Sequence, residues 1–184
     1  VFTSLYLKGI ERLEGQSVAQ AIKTPRGDKK DFARHEAEQE RFPIQAIEAA
    51  GALPNLVILG RPGGGKSTLV NHLATQTAHI RMGHAIHRDE LNGWPQEENL
   101  LPVRIVLRRF AAWIPDKRKT GTEGLVWDYL EHQLNEWGCK TFHPFLQHIL
   151  DNTGGVIFFD GLDEVHEQDE RKKRSQIVEA IQAF

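Results

Sequence analysis

Residues 60–68 read Gly-Arg-Pro-Gly-Gly-Gly-Lys-Ser-Thr, which matches the phosphate-binding pattern G-x-x-x-x-G-K-[ST]. The apolar run Leu56-Val57-Ile58-Leu59 precedes it and predicts a buried strand at about 55–59. After Lys66 the apolar residues recur at helical spacing, which predicts an amphipathic helix. A strand, a glycine loop and a helix form the setting in which this pattern has a mechanism. The alternative is a glycine-rich turn with an exposed lysine.

The residue types of this loop suit an anionic ligand. Glycines let backbone N–H groups approach an anion closely, and the N-terminus of the following helix adds its positive dipole end. Lys66 would bring a full charge to the β- and γ-phosphates, and the Ser67 hydroxyl would ligate Mg²⁺. We therefore expect the nucleotide contacts to come from Gly60, Arg61, Pro62, Gly63, Gly64, Gly65, Lys66, Ser67 and Thr68.

A second motif, Gly-Gly-Val-Ile-Phe-Phe-Asp-Gly-Leu-Asp-Glu-Val at residues 154–165, predicts another buried strand, at about 156–159. Asp160 falls at the carboxyl end of that strand, where α/β sheets place their ligands, and is the candidate metal ligand together with Ser67. Glu164 is the candidate for aligning an attacking water, with Asp163 as its helper or as a group in the outer shell of the magnesium. These two acids and Lys66 form the predicted catalytic set. The alternative is a solvated strand end.

The run Asp160-Gly161-Leu162-Asp163-Glu164 after an apolar strand resembles the Walker B signature of NACHT domains, the signalling NTPases of the STAND class. Residues 101–110 are similar to the middle strand of that family, and residues 56–73 to its first strand, loop and helix. Leu5-Tyr6-Leu7 resembles the short strand that opens many bacterial members. The resemblance implies an α/β fold: a three-layer P-loop NTPase core of the additional-strand class, with a parallel sheet in the order 5-1-4-3-2.

The resemblance covers only part of the NACHT domain. The family's fourth and fifth strands, its sensor residue and its helical and winged-helix subdomains would follow Phe184, so we expect this chain to be a fragment of a longer protein. Residues 1–50 would then be a strand and helical segment that leads into the NACHT domain. Residues 51–184 would be the N-terminal part of the nucleotide-binding core, from the Walker A loop to the helix after Walker B.

Periodicity and breaker residues predict the other elements. The predicted strands lie at residues 1–10 and about 103–107. The predicted helices lie at residues 31–51 around Pro43, at 122–137 between Thr122 and Gly138, from His143-Pro144 onward, and at the charged C-terminal end, where an acidic opening turns basic.

For two further sets of side chains, a functional role is possible from the sequence but is not the favoured interpretation. His79, His84 and His87 have spacing that invites a zinc site, but no cysteine accompanies them, and a surface loop is the favoured interpretation. Arg108 and Arg109 end the middle strand and would either pair with the acids near Asp160 or face solvent, which is favoured.

Composition indicates an ordinary globular domain, with 40% hydrophobic and 26% charged residues. The formal net charge of −2 gives no direct signal for nucleic acid, and no apolar stretch reaches the roughly 18 residues that span a bilayer. The single cysteine, Cys139, excludes an internal disulfide and fits a reducing compartment, so a cytoplasmic location is expected.

The resemblance further implies that the full-length protein binds ATP with Mg²⁺, with GTP as the alternative nucleotide, and hydrolyses it slowly. It would act as a nucleotide-controlled conformational switch whose partners are the rest of its own chain and, on activation, further copies of itself. This fragment by itself is expected to bind nucleotide weakly and to hydrolyse it negligibly. Two other functions stay open: a turnover motor ATPase of the AAA kind, and a non-catalytic scaffold that binds nucleotide.

Overall fold

The computed structural model describes residues 6–13, 15–23, 41–84, 91, 93–95, 99–115, 120–165 and 171–184. These residues form a mixed α/β structure that contains a two-stranded parallel sheet and a two-stranded antiparallel sheet. The chain divides into two compact units, Val1–Leu69 with Ala85–Gln96, and Val70–His84 with Glu97–Phe184. The expected boundary between residues 50 and 51 lies inside a helix of the first unit.

The first unit contains an antiparallel pair in which β1 (Tyr6–Leu13) runs beside β2 (Arg41–Gln45). The strand predicted at residues 1–10 is therefore confirmed for residues 6–10, while residues 1–5 lie outside the described part of the chain. The helical prediction for residues 31–51 is wrong at β2, and its residues 31–40 are also outside that part. Proline biases the residue before it toward extended backbone, and its missing N–H is tolerated in a two-stranded sheet, where every strand has a free edge. Pro43 accordingly faces Glu11 within the ladder.

Helices complete the first unit. They are α1 (Val18–Lys23) and α2 (Ala46–Ala52), and the backbone N–H of Gln45 donates to Oε2 of Glu48 at 2.9 Å, which satisfies a donor where α2 begins. The turn around Gly93 lies against α2 so closely that a Cβ on Gly51 would come within 1.8 Å of the Gly93 carbonyl oxygen. Trp94 is buried in this unit.

The predicted first strand is absent: none of residues 53–61, all of which the structure describes, lies in a strand. Val57 and Leu59 are 82% and 89% exposed, so the prediction of a buried strand is wrong for this structure. A strand needs a neighbour for its N–H and C=O groups and a layer over its side chains. Neither strand pair among the described residues includes residues 56–60.

The helix predicted after the loop is confirmed as α3 (Lys66–Arg81). Its buried stripe is Leu69, Leu73, Thr77 and Ile80, spaced by three and four residues as one helical face requires. The hydroxyl of Thr77 donates to the Leu73 carbonyl at 2.7 Å, which satisfies the polar group on that face.

The second unit is built on the parallel pair of β3 (Leu101–Val106) and β4 (Gly155–Asp160), in which Val106 is the partner of Asp160. Both strands were predicted, and the observed ends lie within two residues of the predicted ones, so the two predictions are confirmed. The chain between them forms α4 (Leu107–Trp113), α5 (Glu123–Glu136) and α6 (His143–Asn152). The last helix is α7 (Arg171–Ala183).

The predicted helix limits in this unit are largely confirmed. α5 follows Thr122 and ends before Gly138, whose φ of 72° is the left-handed conformation that favours glycine after a helix. α6 has its proline in the first turn, as predicted. Trp137, which follows the last helical residue of α5, is 64% exposed.

A single hydrophobic core lies beneath the parallel pair and the helices of the second unit. Phe110 is fully buried, with its ring centroid 4.8 Å from that of Tyr129. Gly121 lies directly on α7, where a Cβ would come within 1.9 Å of the Gln176 carbonyl oxygen. The buried members are Ile105, Leu107, Phe110, Ala111, Ile114, Leu125, Val126, Tyr129, Leu130, Leu146, Val165, Ile177 and Ala180.

No helix in the described part of the chain combines the length and the apolar character needed to cross a bilayer.

Candidate functional site

The glycine loop has a backbone that other residues would adopt only with strain. Gly63 and Gly65 have φ of 74° and 81°, in the left-handed region that side chains disfavour. The N–H of Gly64 donates to the Arg61 carbonyl at 3.0 Å, and a Cβ on Gly64 would come within 2.9 Å of that same oxygen. The three consecutive glycines therefore close a tight turn directly before α3.

The helix begins at the lysine of the motif. Leu69 N–H donates to the Gly65 carbonyl at 2.9 Å, which starts the hydrogen-bond pattern of the helix. Nζ of Lys66 donates to the carbonyl oxygens of Gly60 at 2.8 Å and Arg61 at 3.3 Å. The ammonium group thus folds back along the loop, and Ser67 and Thr68 follow it in the first helical turn.

The second motif ends β4 with a buried carboxylate. Asp160 is only 6% exposed. The chain then turns at Gly161, with φ of 85°, into a short 3₁₀ turn over Leu162–Glu164. A Cβ on Gly161 would lie 3.4 Å from Cδ of Glu164, so the glutamate side chain is close to the turn. Asp163 and Glu164 are exposed, in contrast to Asp160.

Arginines from the preceding strand and helix pair with two of these acids. Nη2 of Arg104 donates to Oδ2 of Asp160 at 2.7 Å, in a geometry that is both a hydrogen bond and an ion pair. Nη1 of Arg108 lies 3.9 Å from Oε2 of Glu164, a longer and exposed pair. Arg108 itself lies in the first turn of α4, since β3 ends at Val106.

Arg104 was missed by the sequence analysis. Side chains alternate along a strand, so Arg104 projects to the same face as Val106, two residues later. The parallel register makes Val106 the partner of Asp160, which places the long arginine side chain within reach of the carboxylate. The sequence did contain a signal for this pair. An arginine lies two residues before the end of one strand, and the neighbouring strand ends in an acid.

A magnesium site is not evident from protein ligands alone. The part of the chain that the structure describes contains no group of three or more His, Cys, Asp or Glu side chains able to share a metal ion. Mg²⁺ in nucleotide sites takes one or two protein oxygens and completes its shell with phosphate and water. Asp160 fits this use, because its carboxylate already binds a cation, the guanidinium of Arg104. The ring centroids of His79 and His84 lie 5.5 Å apart, while His87 lies outside the described residues.

The loop at residues 60–68 belongs to the first unit, and Arg104, Asp160 and Glu164 belong to the second. Comparison with protein-family models, with curated proteins and with solved structures found no match for the chain.

Proposed function

We propose that the chain is an ATP- and Mg²⁺-binding NTPase module that serves as a nucleotide-controlled switch. The observation that carries this proposal is the loop geometry: three glycines, two with positive φ, lead into a 16-residue helix whose first residue is Lys66. Backbone N–H groups, the helix dipole and the ammonium group all attract an anion at this one place. The Lys66 bonds to two loop carbonyls support the role, because they hold the charge beside the loop.

Each of the candidate residues would have a role that follows from the chemistry of its side chain or backbone. Loop amides and Lys66 would bind the phosphates, and Ser67 and Asp160 would be the protein ligands of Mg²⁺, whose chemistry would be to neutralise phosphate charge. Glu164 orients the attacking water and Asp163 assists it. The exposure of both acids supports this assignment, since a side chain that serves a substrate must be reachable.

The finer fold and biology rest on the resemblance to NACHT domains. We propose a three-layer P-loop core of the additional-strand class, in a cytoplasmic protein that forms homo-oligomers when activated. Nucleotide exchange and slow hydrolysis would set the state of the switch, with ATP as the nucleotide in preference to GTP. Mg²⁺ and the γ-phosphate would order the loops after β3 and β4, and hydrolysis would release them.

The first test is removal of the loop charge. Lys66→Ala should weaken binding of a fluorescent ATP analogue by about 100-fold or more, because charge-assisted hydrogen bonds contribute about 1.5–3 kcal/mol each. Lys140→Ala, which removes an exposed lysine of the second unit, is the matched control and should leave the affinity unchanged. Equal affinities for Lys66→Ala and the unmodified protein would refute the proposal.

Hydrolysis separates the switch from the other two functions. Glu164→Gln should lower single-turnover hydrolysis while nucleotide binding is retained, because the amide cannot accept a proton from the attacking water. Rapid steady turnover by the unmodified protein would favour a motor instead. Unchanged hydrolysis in Glu164→Gln would favour a scaffold that binds nucleotide without catalysis by this residue.

A further inference from the structure

The Asp160 carboxylate is paired with a cationic side chain of the protein itself. Asp160 is almost fully buried, and its Oδ2 lies 2.7 Å from Nη2 of Arg104, whose side chain is 32% exposed. A contact this short between opposite charges, with one partner removed from water, is a strong electrostatic interaction.

The same oxygen is the group that a metal would use. A guanidinium that already pairs with a carboxylate repels a second cation, so Mg²⁺ binds such a carboxylate more weakly. Arg104 and Mg²⁺ therefore compete for Asp160, either for Oδ2 itself or through charge repulsion across the carboxylate.

Two features of the Arg104 side chain favour its dissociation from Asp160. Its Nε is buried and has no hydrogen-bond partner among the described residues, so the guanidinium fork is not fully satisfied in the paired state. About a third of the side chain is already exposed to solvent, which gives the head group a route into water. Release would let water accept from the Nε–H and would remove the guanidinium from the Asp160 carboxylate.

We propose that Arg104 is a positioning residue that holds Asp160 when no metal is bound and lowers the affinity of the site for Mg²⁺. This inference rests on the proposed nucleotide function. It adds a regulatory step, because Mg²⁺ with nucleotide must displace the Arg104 pair before Asp160 can serve the metal. Arg104, which lies in β3 outside both motifs, then sets the Mg²⁺ concentration at which the switch responds.

The decisive measurement is metal affinity, not activity. Mn²⁺, a paramagnetic stand-in for Mg²⁺, is titrated into protein with saturating ATP and followed by electron paramagnetic resonance. Arg104→Gln keeps a hydrogen-bond donor but removes the charge, and it should lower the Kd for Mn²⁺ by about tenfold or more, since one adjacent unit charge is lost. Arg104→Lys retains the charge and should stay close to the unmodified protein. A merely structural role would not tighten metal binding.

Two controls define the outcome. Arg109→Gln makes the same change of charge at an exposed position of α4 and should alter the Kd by less than about twofold, as solvent screens it. Adding Asp160→Asn to Arg104→Gln should abolish the gain, because the carboxylate is the object of the competition. An unchanged Kd in Arg104→Gln, with metal-dependent nucleotide binding intact, overturns the Arg104 inference and leaves the proposed function standing.

The unmodified protein provides an independent readout if Arg104→Gln does not fold. The side-chain N–H signals of Arg104, assigned by their loss in Arg104→Lys, should shift on addition of Mg²⁺ with ATP and remain in place with ATP alone. Signals that stay unchanged at saturating metal would contradict displacement. Failure of all variants and of the unmodified protein to bind nucleotide overturns the proposed function, and the Arg104 inference with it.

Discussion

Two apolar runs of similar composition have different structures in this protein. Gly155–Asp160 forms β4, pairs with β3 along its whole length and ends in a buried acid. Residues 56–59, which are all Leu, Val or Ile, form no strand, although the structure describes all of them, and expose Val57 and Leu59. The difference shows that an apolar run specifies a strand only together with a partner and a covering layer.

The same contrast separates the two motifs. The carboxylate of Asp160 is fixed by a neighbouring strand, a buried environment and an ion pair. The ammonium of Lys66 donates to carbonyl groups of its own loop, five and six residues away. Substitutions in the second unit should therefore perturb the fold, and equivalent substitutions near the loop should perturb it little.

The largest expected effect comes from truncation of a buried aromatic. Phe110→Ala should lower the free energy of unfolding by about 3–5 kcal/mol, because it removes a fully buried ring from the core of the second unit. Val57→Ala, the counterpart on the exposed run, should change it by less than about 0.5 kcal/mol. Urea denaturation followed by circular dichroism measures both. A large loss in Val57→Ala would show that residues 56–59 are covered in solution, which would remove the contrast.

A smaller effect tests packing around glycine. Gly121→Ala should destabilise the protein by about 1–3 kcal/mol, because its Cβ would overlap the Gln176 carbonyl of α7 and force the two segments apart. Gly60→Ala is the matched substitution at the loop, where the nearest atom to the added Cβ is Cδ of Lys66 at 3.8 Å. It should leave the thermal midpoint within about 2 °C. Equal shifts for the two variants would contradict the packing difference.

The sequence predicted what depends on local pattern. The apolar strands β3 and β4, the helix after the loop and the limits of α5 and α6 follow from periodicity, glycine and proline. The strand at residues 41–45 was missed because its partner, β1, is remote in the chain and Pro43 interrupts its pattern. The Arg104 pair was missed for a related reason: it joins residues 56 positions apart and depends on the register between two strands.

The smallest expected effect is a pH dependence in the second unit. Burial raises the pKa of Tyr129 above its ordinary value of 10.0, while the charge of Arg109 opposes the rise and that of Glu136 adds to it. Tyrosine in the unfolded chain therefore ionises first, and the unfolded state binds fewer protons than the folded state above about pH 10. The stability contributed by Tyr129 is complete below that pH and is lost as the pH rises through the folded pKa.

Tyr129→Phe should remove this contribution, which has a slope of at most about 1.4 kcal/mol per pH unit. Urea unfolding at a series of pH values between 9 and 11 compares the two proteins, and the tyrosinate absorbance at 295 nm follows the two tyrosines of the chain directly. Arg109→Gln, by removing the opposing charge, should raise the pKa of Tyr129 further, so that the loss of stability begins at the same pH but extends to higher pH and becomes larger. A Tyr129 signal that titrates at the ordinary value would mean that the ring is reached by water, and that the core of the second unit is looser than its buried aromatic cluster indicates.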